Sequence, residues 1–106
     1  MTTFDEREDG FERKFAHDEA LRFKATARRN RLLGLWAAEK LGLAGADAEA
    51  YAKDLVLEEF AEGGHDVFQK VRRDFDAKGV VQSDHQIRRT MAELMAKALA
   101  DIKAGN

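Results

Sequence analysis

The 106-residue sequence contains no cysteine, which excludes disulfide bonds, thiol catalysis and cysteine-ligated zinc. It contains no proline. It has a single serine, so Ser83 is the one candidate for a nucleophilic serine. No apolar run approaches the roughly 20 residues that a membrane-spanning helix needs. The N-terminus is rich in charges, unlike a signal peptide. We therefore expect a protein without membrane insertion, in the reducing environment of the cytoplasm.

The sequence also has no large excess of positive or negative charge. Its 18 basic residues are balanced by 20 acidic ones, and the net charge is -2. Nucleic-acid-binding domains usually carry a basic excess, so we expect no nucleic-acid partner. The motifs HExxH, GxSxG, GxGxxG and GxxxxGK[ST] do not occur. None of the three histidines, His17, His65 and His85, has a histidine four residues away. We expect neither an enzyme active site, with no catalytic residue, nor a metal site.

What the sequence does contain is typical of helices. Apolar residues make up 44% of the chain and charged residues 36%, and the strong helix formers Ala, Leu, Glu, Lys and Arg dominate. This composition predicts an all-α protein: a small four-helix bundle over residues 18–106, preceded by a flexible N-terminal arm over residues 1–17. Short connections favour antiparallel neighbours.

The first two helices are predicted from periodicity and from their ends. The first runs from about Asp18 to Leu41 and is ended by Gly42 and Gly45. The second is predicted to be capped by Asp47. The apolar period of the first is traced by Leu21, Ala25, Arg28, Leu32, Leu35, Trp36 and Ala38 or Glu39. That of the second is traced by Ala48, Tyr51, Ala52, Leu55, Val56 and Phe60. We expect Trp36 and the Leu32 to Leu35 set to be core.

The last two helices have clearer start signals. Asp66 is predicted to start a short third helix, and Ser83 or Asp84 to cap the fourth. The third helix places Val67, Phe68, Val71 and Phe75 on one face. The fourth repeats Ile87, Met91, Leu94, Met95, Ala98 and Ile102 at spacings of three and four.

The arm carries a stripe of phenylalanines. Phe4 and Phe11 are seven residues apart, and Phe15 follows Phe11 by four, so all three share one face of a helix. Gly10 in the middle weakens such a helix by about 1 kcal/mol relative to alanine. One interpretation is an arm that becomes an amphipathic helix on a partner. The alternative is that Phe11 and Phe15 fold back on the bundle as an extension of the first helix.

A basic run, "RFKATARRNR" at residues 22–31, has five cationic side chains and no acid between them. It favours a phosphate-binding patch for a mononucleotide, a contact with an acidic protein partner, or a set of intramolecular ion pairs with acidic residues of later helices. Binding to RNA is disfavoured, because no aromatic residue except Phe23 accompanies the run.

The stretches "MTTFDERE" and "FERKFAHDEALRFKATARRNRLLGLWAAEKLG" resemble the zeta subunit family of alphaproteobacterial F-type ATP synthases. The family pattern has Phe at position four, then E-x-K-F-A-x-D, F-K-A-x-A-R-R-N, L-L-G and W-A-A. The matching positions are Phe4; Glu12, Lys14, Phe15, Ala16 and Asp18; Phe23 through Asn30; Leu32, Leu33 and Gly34; and Trp36, Ala37 and Ala38. The similarity continues more loosely through "DVFQKVRRDF" and the final helix.

The resemblance implies a four-helix bundle that inhibits ATP hydrolysis. In the family's inhibitory members the N-terminal segment inserts between catalytic-head subunits and the rotor stalk. The corresponding segment here is about 1–18, with partner contacts expected at Phe4, Arg7, Phe11, Lys14 and Phe15. The implied protein is a monomer when free and acts in the cytoplasm, peripheral to the inner-membrane synthase.

Weak adenine-nucleotide binding by some members makes Arg28, Arg29 and Arg31 candidates for ADP or ATP, and no other cofactor is implied. The alternative function is a small adenine-nucleotide-binding sensor or adaptor without strong inhibitory activity. Gly10 is a departure that bears on the potency of inhibition rather than on family membership.

Overall fold

A computed structural model describes residues 19–61 and 66–105. These residues form four α-helices and contain no β-strand, which confirms the prediction of an all-α, four-helix fold. The helices are α1, Glu19–Lys40; α2, Gly45–Phe60; α3, Val67–Lys78; and α4, Asp84–Lys103. The long α1 packs mainly against α2 and α4, and α3 contacts the same two helices.

A left-handed glycine ends α1. Gly42 has φ of +81°, a conformation that costs glycine little because it has no Cβ. Its N–H donates to the Glu39 carbonyl at 3.1 Å, and the Leu43 N–H donates to the Ala38 carbonyl at 2.8 Å. This pair of bonds satisfies the last carbonyls of the helix and turns Leu43 back against the core. The predicted end of α1 at Gly42 is confirmed, whereas Gly45, predicted to end α1 as well, is the first residue of α2.

The start of α2 differs from the prediction. Ala44 occupies the N-cap position and makes no side-chain capping bond, so the assignment of Asp47 as the cap was wrong. The chain enters α2 directly after the turn at Gly42, and the first residue of the helix is Gly45. The Asp47 N–H already donates to the Ala44 carbonyl, which places Asp47 in the first turn, where its charge suits the helix dipole.

The predicted starts of α3 and α4 are confirmed by their capping bonds. The Asp66 carboxylate accepts from the Phe68 N–H at 2.9 Å. The Ser83 hydroxyl accepts from the Gln86 N–H at 3.1 Å, and the Gln86 side chain accepts from the Ser83 N–H at 2.9 Å. This reciprocal pair is a capping box, and it identifies Ser83 rather than Asp84 as the cap.

The apolar core lies around the C-terminal half of α1, where all four helices meet. Its buried members are Leu33, Ala37, Leu41, Leu55, Val67, Phe68, Val71, Phe75 and Ile87. Trp36, Met91 and Leu94 pack against this cluster from its rim, and the Trp36 ring lies 5.7 Å from that of Phe75. The predicted faces of α3 and α4 therefore supply the core as expected.

The buried face of α1 is only partly the predicted one. Arg28, Leu32 and Leu35 are half-buried, whereas Asn30 and Gly34 are buried. The reason is close approach: a Cβ on Gly34 would lie 2.5 Å from the Ala52 Cα, so small residues form the contact with α2. Phe60, predicted on the apolar face of α2, is exposed.

Candidate functional site

The bundle carries an exposed apolar surface beside the first turns of α1. Phe23 is 55% exposed, and its ring centroid lies 4.4 Å from that of Phe60 at the end of α2. Leu57, one turn earlier on α2, is also 55% exposed. Exposed aromatic pairs of this kind mark contact surfaces more often than isolated apolar residues do. We call these three residues the Phe23–Phe60 surface.

A polar network holds the helices together beneath this surface. The fully buried Asn30 side chain donates from Nδ2 to Glu59 Oε2 at 2.9 Å. The Arg29 Nε donates to Asn30 Oδ1 at 2.7 Å, and Arg29 Nη2 lies 3.5 Å from Glu59 Oε1. Since a buried amide is costly unless it is paired, this closed set of bonds fixes how α1 and α2 meet at this end.

The cationic side chains of the basic run differ in whether they make ion pairs with α2. Arg29 pairs with Glu59, and Arg31 Nη2 contacts both carboxylate oxygens of Glu49 at 2.9 and 3.2 Å. Both acids lie on α2, so these two arginines make the intramolecular ion pairs that the sequence allowed. Nucleotide binding by Arg28, Arg29 and Arg31 is not tested by this arrangement and stays a prediction.

Lys24 and Arg28 differ from those two arginines. Neither makes an ion pair with another residue in the described part of the chain. They line a small cleft against Ile102 and Gly105, beside the C-terminal end of α4. A pair of cations that no carboxylate of the described residues neutralises suits an anion.

A shallow groove runs between α1 and α2, away from the core. Its Phe23 end is lined by Phe23, Lys24, Ala27, Arg28, Arg31 and Val56. It continues along Arg31, Ala46, Glu49, Ala50, Lys53 and Val56. The floor is apolar, with alanines and Val56, and the α1 wall is cationic. We call this feature the α1–α2 groove.

Among the titratable side chains of residues 19–61 and 66–105, Tyr51 has a strongly raised pKa. The Tyr51 hydroxyl donates to Asp74 Oδ2 at 2.8 Å, linking α2 to α3. Burial raises the pKa of Tyr51 well above its ordinary value, and the bond to Asp74 raises it further. His85 lies exposed in the first turn of α4, whereas His17 and His65 lie outside the described residues.

In residues 19–61 and 66–105, no group of three or more His, Asp or Glu side chains is arranged to hold a metal ion. Within the same ranges, no helix combines the length and apolar character that crossing a bilayer requires.

The predicted partner contacts, Phe4, Arg7, Phe11, Lys14 and Phe15, all lie outside the described residues. They stay predictions. The Phe23–Phe60 surface and the Asn30 network were missed from sequence. Phe23 had a usable signal, since it is the one aromatic residue within the basic run. The burial of Asn30 had none, because asparagine is usually exposed.

The chain is similar to known proteins in both sequence and fold. It is 41% identical to a protein whose solution structure was determined by NMR, with a TM-score of 0.67, over 81% of this chain and 99% of that one. No curated protein matches. The family model for ATPase inhibitor subunit zeta matches residues 1–101, which include the arm, α1 to α3 and most of α4. The chain therefore belongs to the ATPase inhibitor subunit zeta family, whose members are regulatory proteins rather than enzymes.

Proposed function

We propose that this chain is a regulatory subunit of an F-type ATP synthase that inhibits ATP hydrolysis. Its arm, residues 1–17, inserts between catalytic-head subunits and the rotor stalk and blocks rotation in the hydrolytic direction. The observation that carries the proposal is the family match over residues 1–101, because it includes the arm as well as the bundle. The protein acts in the cytoplasm, peripheral to the membrane-bound synthase, and is a monomer when free.

The division of the bundle supports an inhibitory arm. The apolar core that the described residues form is centred on the half of α1 that begins at Leu33. The half of α1 that joins the arm contributes one buried apolar residue, Ala25, and the polar network around Asn30. The bundle can therefore keep its core while the arm changes its surroundings.

The chemistry of the arm suits insertion into a protein interface. Phe4, Phe11 and Phe15 are anchors of the kind that supply most of the binding energy in interfaces. Arg7 and Lys14 provide charges that set orientation and association rate. The Phe23–Phe60 surface follows directly after the arm and extends the apolar contact area onto the bundle.

ATP hydrolysis by the purified cognate catalytic head tests the proposal, with the full chain as the reference inhibitor. Phe11→Asp places a charge on the anchor stripe and is expected to weaken inhibition at least tenfold, about 1.4 kcal/mol of binding. Val81→Asp is the matched control, because Val81 is 94% exposed in the α3–α4 connection, and it should inhibit like the reference. Equal inhibition by all three proteins would refute insertion of the arm.

A second candidate function is adenine-nucleotide sensing, favoured by the Lys24–Arg28 cleft. Because Arg29 and Arg31 face carboxylates of α2, we place any nucleotide phosphate on Lys24 and Arg28. Titration with ADP and ATP should shift the backbone amide resonances of residues 24–31, and Arg28→Ala should abolish the shifts. Arg89→Ala, which removes an exposed cation from α4, is the control and should leave them unchanged.

A further inference from the structure

The α1–α2 groove carries an excess of positive charge that the chain as a whole lacks. Its charged lining consists of four cations and one acid: Lys24, Arg28, Arg31, Lys53 and Glu49. The whole sequence, by contrast, has a net charge of -2. Arg31 and Glu49 neutralise each other at 2.9 Å. The other three cations make no ion pair with any residue of 19–61 or 66–105, so their charge is available to an acidic partner.

The floor between these charges is apolar and made of small side chains. Ala46 and Ala50 of α2 are exposed, whereas Ala27 of α1 and Val56 of α2 are half-buried. Because alanine fills little space, such a floor leaves room for the larger side chains of another helix. At one end the floor meets the Phe23–Phe60 surface, which is also exposed. The groove therefore offers apolar area that a partner with large apolar side chains can cover.

The length and direction of the groove suit a helix of about four turns. From Ala46 to Phe60 the groove follows α2 for about 21 Å, at about 1.5 Å of rise per residue. Positions 46, 50, 53, 57 and 60 are three or four residues apart, so they share one face of α2. Positions 24, 28 and 31 have the same spacing along α1. Two such faces side by side form the kind of surface on which an amphipathic helix docks.

We propose that the α1–α2 groove is a docking surface for an acidic amphipathic helix of the catalytic head. The apolar stripe of that helix covers the alanines and Val56 of the floor. Acids along one edge of the stripe face Lys24 and Arg28 on α1, and acids along the other edge face Lys53 on α2. The proposal rests on the proposed function, and it assigns to the bundle a contact with the head that is separate from the arm.

A synthetic peptide tests the groove without the synthase. The peptide is a helix of about four turns, with leucines at spacings of three and four and glutamates on both edges of the leucine stripe. Added to the isotope-enriched full-length chain, it should shift the amide resonances of residues 24–31 and 46–57. A matched peptide with lysines in place of the glutamates should not. No shifts with the acidic peptide at about 1 mM, or equal shifts with both peptides, would overturn the proposal.

Charge reversal on both walls identifies the contact. Lys24→Glu combined with Lys53→Glu places an acid on each wall at exposed positions and should weaken binding of the acidic peptide at least tenfold. Arg89→Glu combined with Lys97→Glu makes the same change of charge at exposed positions on α4 and should leave the affinity unchanged. Circular dichroism checks that both variants are folded. Equal weakening by the two double variants would reduce the effect to net charge and overturn the proposal.

The same spectra decide between the helix and two other occupants. Raising the concentration of the chain alone should leave the resonances of residues 46–57 unchanged, and so should vesicles of phosphatidylglycerol. Shifts that depend on the concentration of the chain would assign the groove to a second copy. Shifts with the vesicles in place of the peptide would assign it to an anionic lipid surface. Either result would overturn the proposal.

Binding of the full-length chain to the immobilised cognate catalytic head tests the source of the helix. Measured without nucleotide, Kd should rise about tenfold for the double variant of Lys24 and Lys53 and stay unchanged for the double variant of Arg89 and Lys97. An unchanged Kd for the groove variant would overturn the assignment to the head. A chain that neither binds nor inhibits the head would refute the proposed function as well, whereas the peptide titration shows separately whether the groove takes an acidic helix.

Discussion

The two halves of α1 are built on different principles. In the C-terminal half, Leu33 and Ala37 are buried among apolar side chains of the other three helices, and so is Leu41 directly after the helix. In the N-terminal half, the buried contact is the polar network of Asn30, and Phe23 is exposed. The C-terminal half stabilises the fold by removing apolar area from water. The N-terminal half fixes the geometry between α1 and α2 and leaves apolar surface exposed.

The C-terminal half of α1 therefore holds most of the apolar burial, whereas the end of the bundle around Phe23 keeps apolar surface exposed. At that end, specific polar bonds rather than apolar burial hold α1 and α2 together. We therefore expect the free energy of unfolding to be sensitive to substitutions in the core and much less sensitive to substitutions around Phe23.

The largest effect should come from a pair of phenylalanines compared directly. Phe75→Ala empties a fully buried site and should lower the free energy of unfolding by about 4 kcal/mol. Phe23→Ala removes the same ring from an exposed site and should cost about 1 kcal/mol or less. Urea unfolding followed by far-ultraviolet circular dichroism measures both. Similar costs for the two variants would break the distinction between the halves.

Gly34 sharpens the comparison at the boundary between the two halves. In an exposed helix, glycine to alanine is stabilising by about 1 kcal/mol. Here the new Cβ would meet the backbone of Ala52 at 2.5 Å, so α1 and α2 must separate, and Gly34→Ala should instead destabilise by about 2 kcal/mol. The thermal midpoint gives the sign directly, and a rise would show that the helices are not closely packed at this position.

The polar network should show an intermediate effect. Asn30→Ala removes the buried amide that links Arg29 to Glu59 and should cost about 1 to 2 kcal/mol. Arg31→Ala breaks an ion pair whose partners are both more than half exposed and should cost less than about 0.5 kcal/mol. Both are read from the same urea curves. An equal loss in the free energy of unfolding for Asn30→Ala and Arg31→Ala would mean that burial does not strengthen the Asn30 network.

The ionisation of Tyr51, the only tyrosine, should have the smallest effect on the free energy of unfolding at neutral pH. Its pKa is raised in the folded state, so the stabilisation is fully present below the unfolded pKa of about 10 and is lost only as the pH rises through the folded value. Tyrosinate absorbance should therefore be absent at a pH where free tyrosine has ionised. Asp74→Asn should lower the pKa of Tyr51 without returning it to the ordinary value, because burial is the larger cause. Ordinary titration in the unmodified chain would contradict the buried bond to Asp74.

The sequence predicted those parts of the fold whose signals are local. Asp66 was predicted to start α3, and Ser83 was one of the two predicted caps of α4, because capping side chains bond to the backbone within three residues. The face of α3 was correct because its buried residues are large and regularly spaced.

Other features could not be read from one chain segment. The contact of Gly34 with Ala52 and the partners of Arg29 and Arg31 depend on how α1 and α2 pair, which residue spacing within α1 does not encode. Asp47 was mistaken for a cap because it is the first good capping residue after the glycines, whereas α2 starts without a side-chain cap. The phenylalanine stripe of the arm was visible in the sequence, but the contact between the rings of Phe23 and Phe60 needed the structure.

The most direct test of the account is to assay ATP hydrolysis by the cognate catalytic head with a chain that lacks residues 1–18. The account predicts that this shortened chain no longer inhibits, while its circular dichroism and thermal midpoint show a folded helical bundle. Full inhibition by the shortened chain would contradict the account, because it would assign the inhibitory contact to the bundle rather than to the arm.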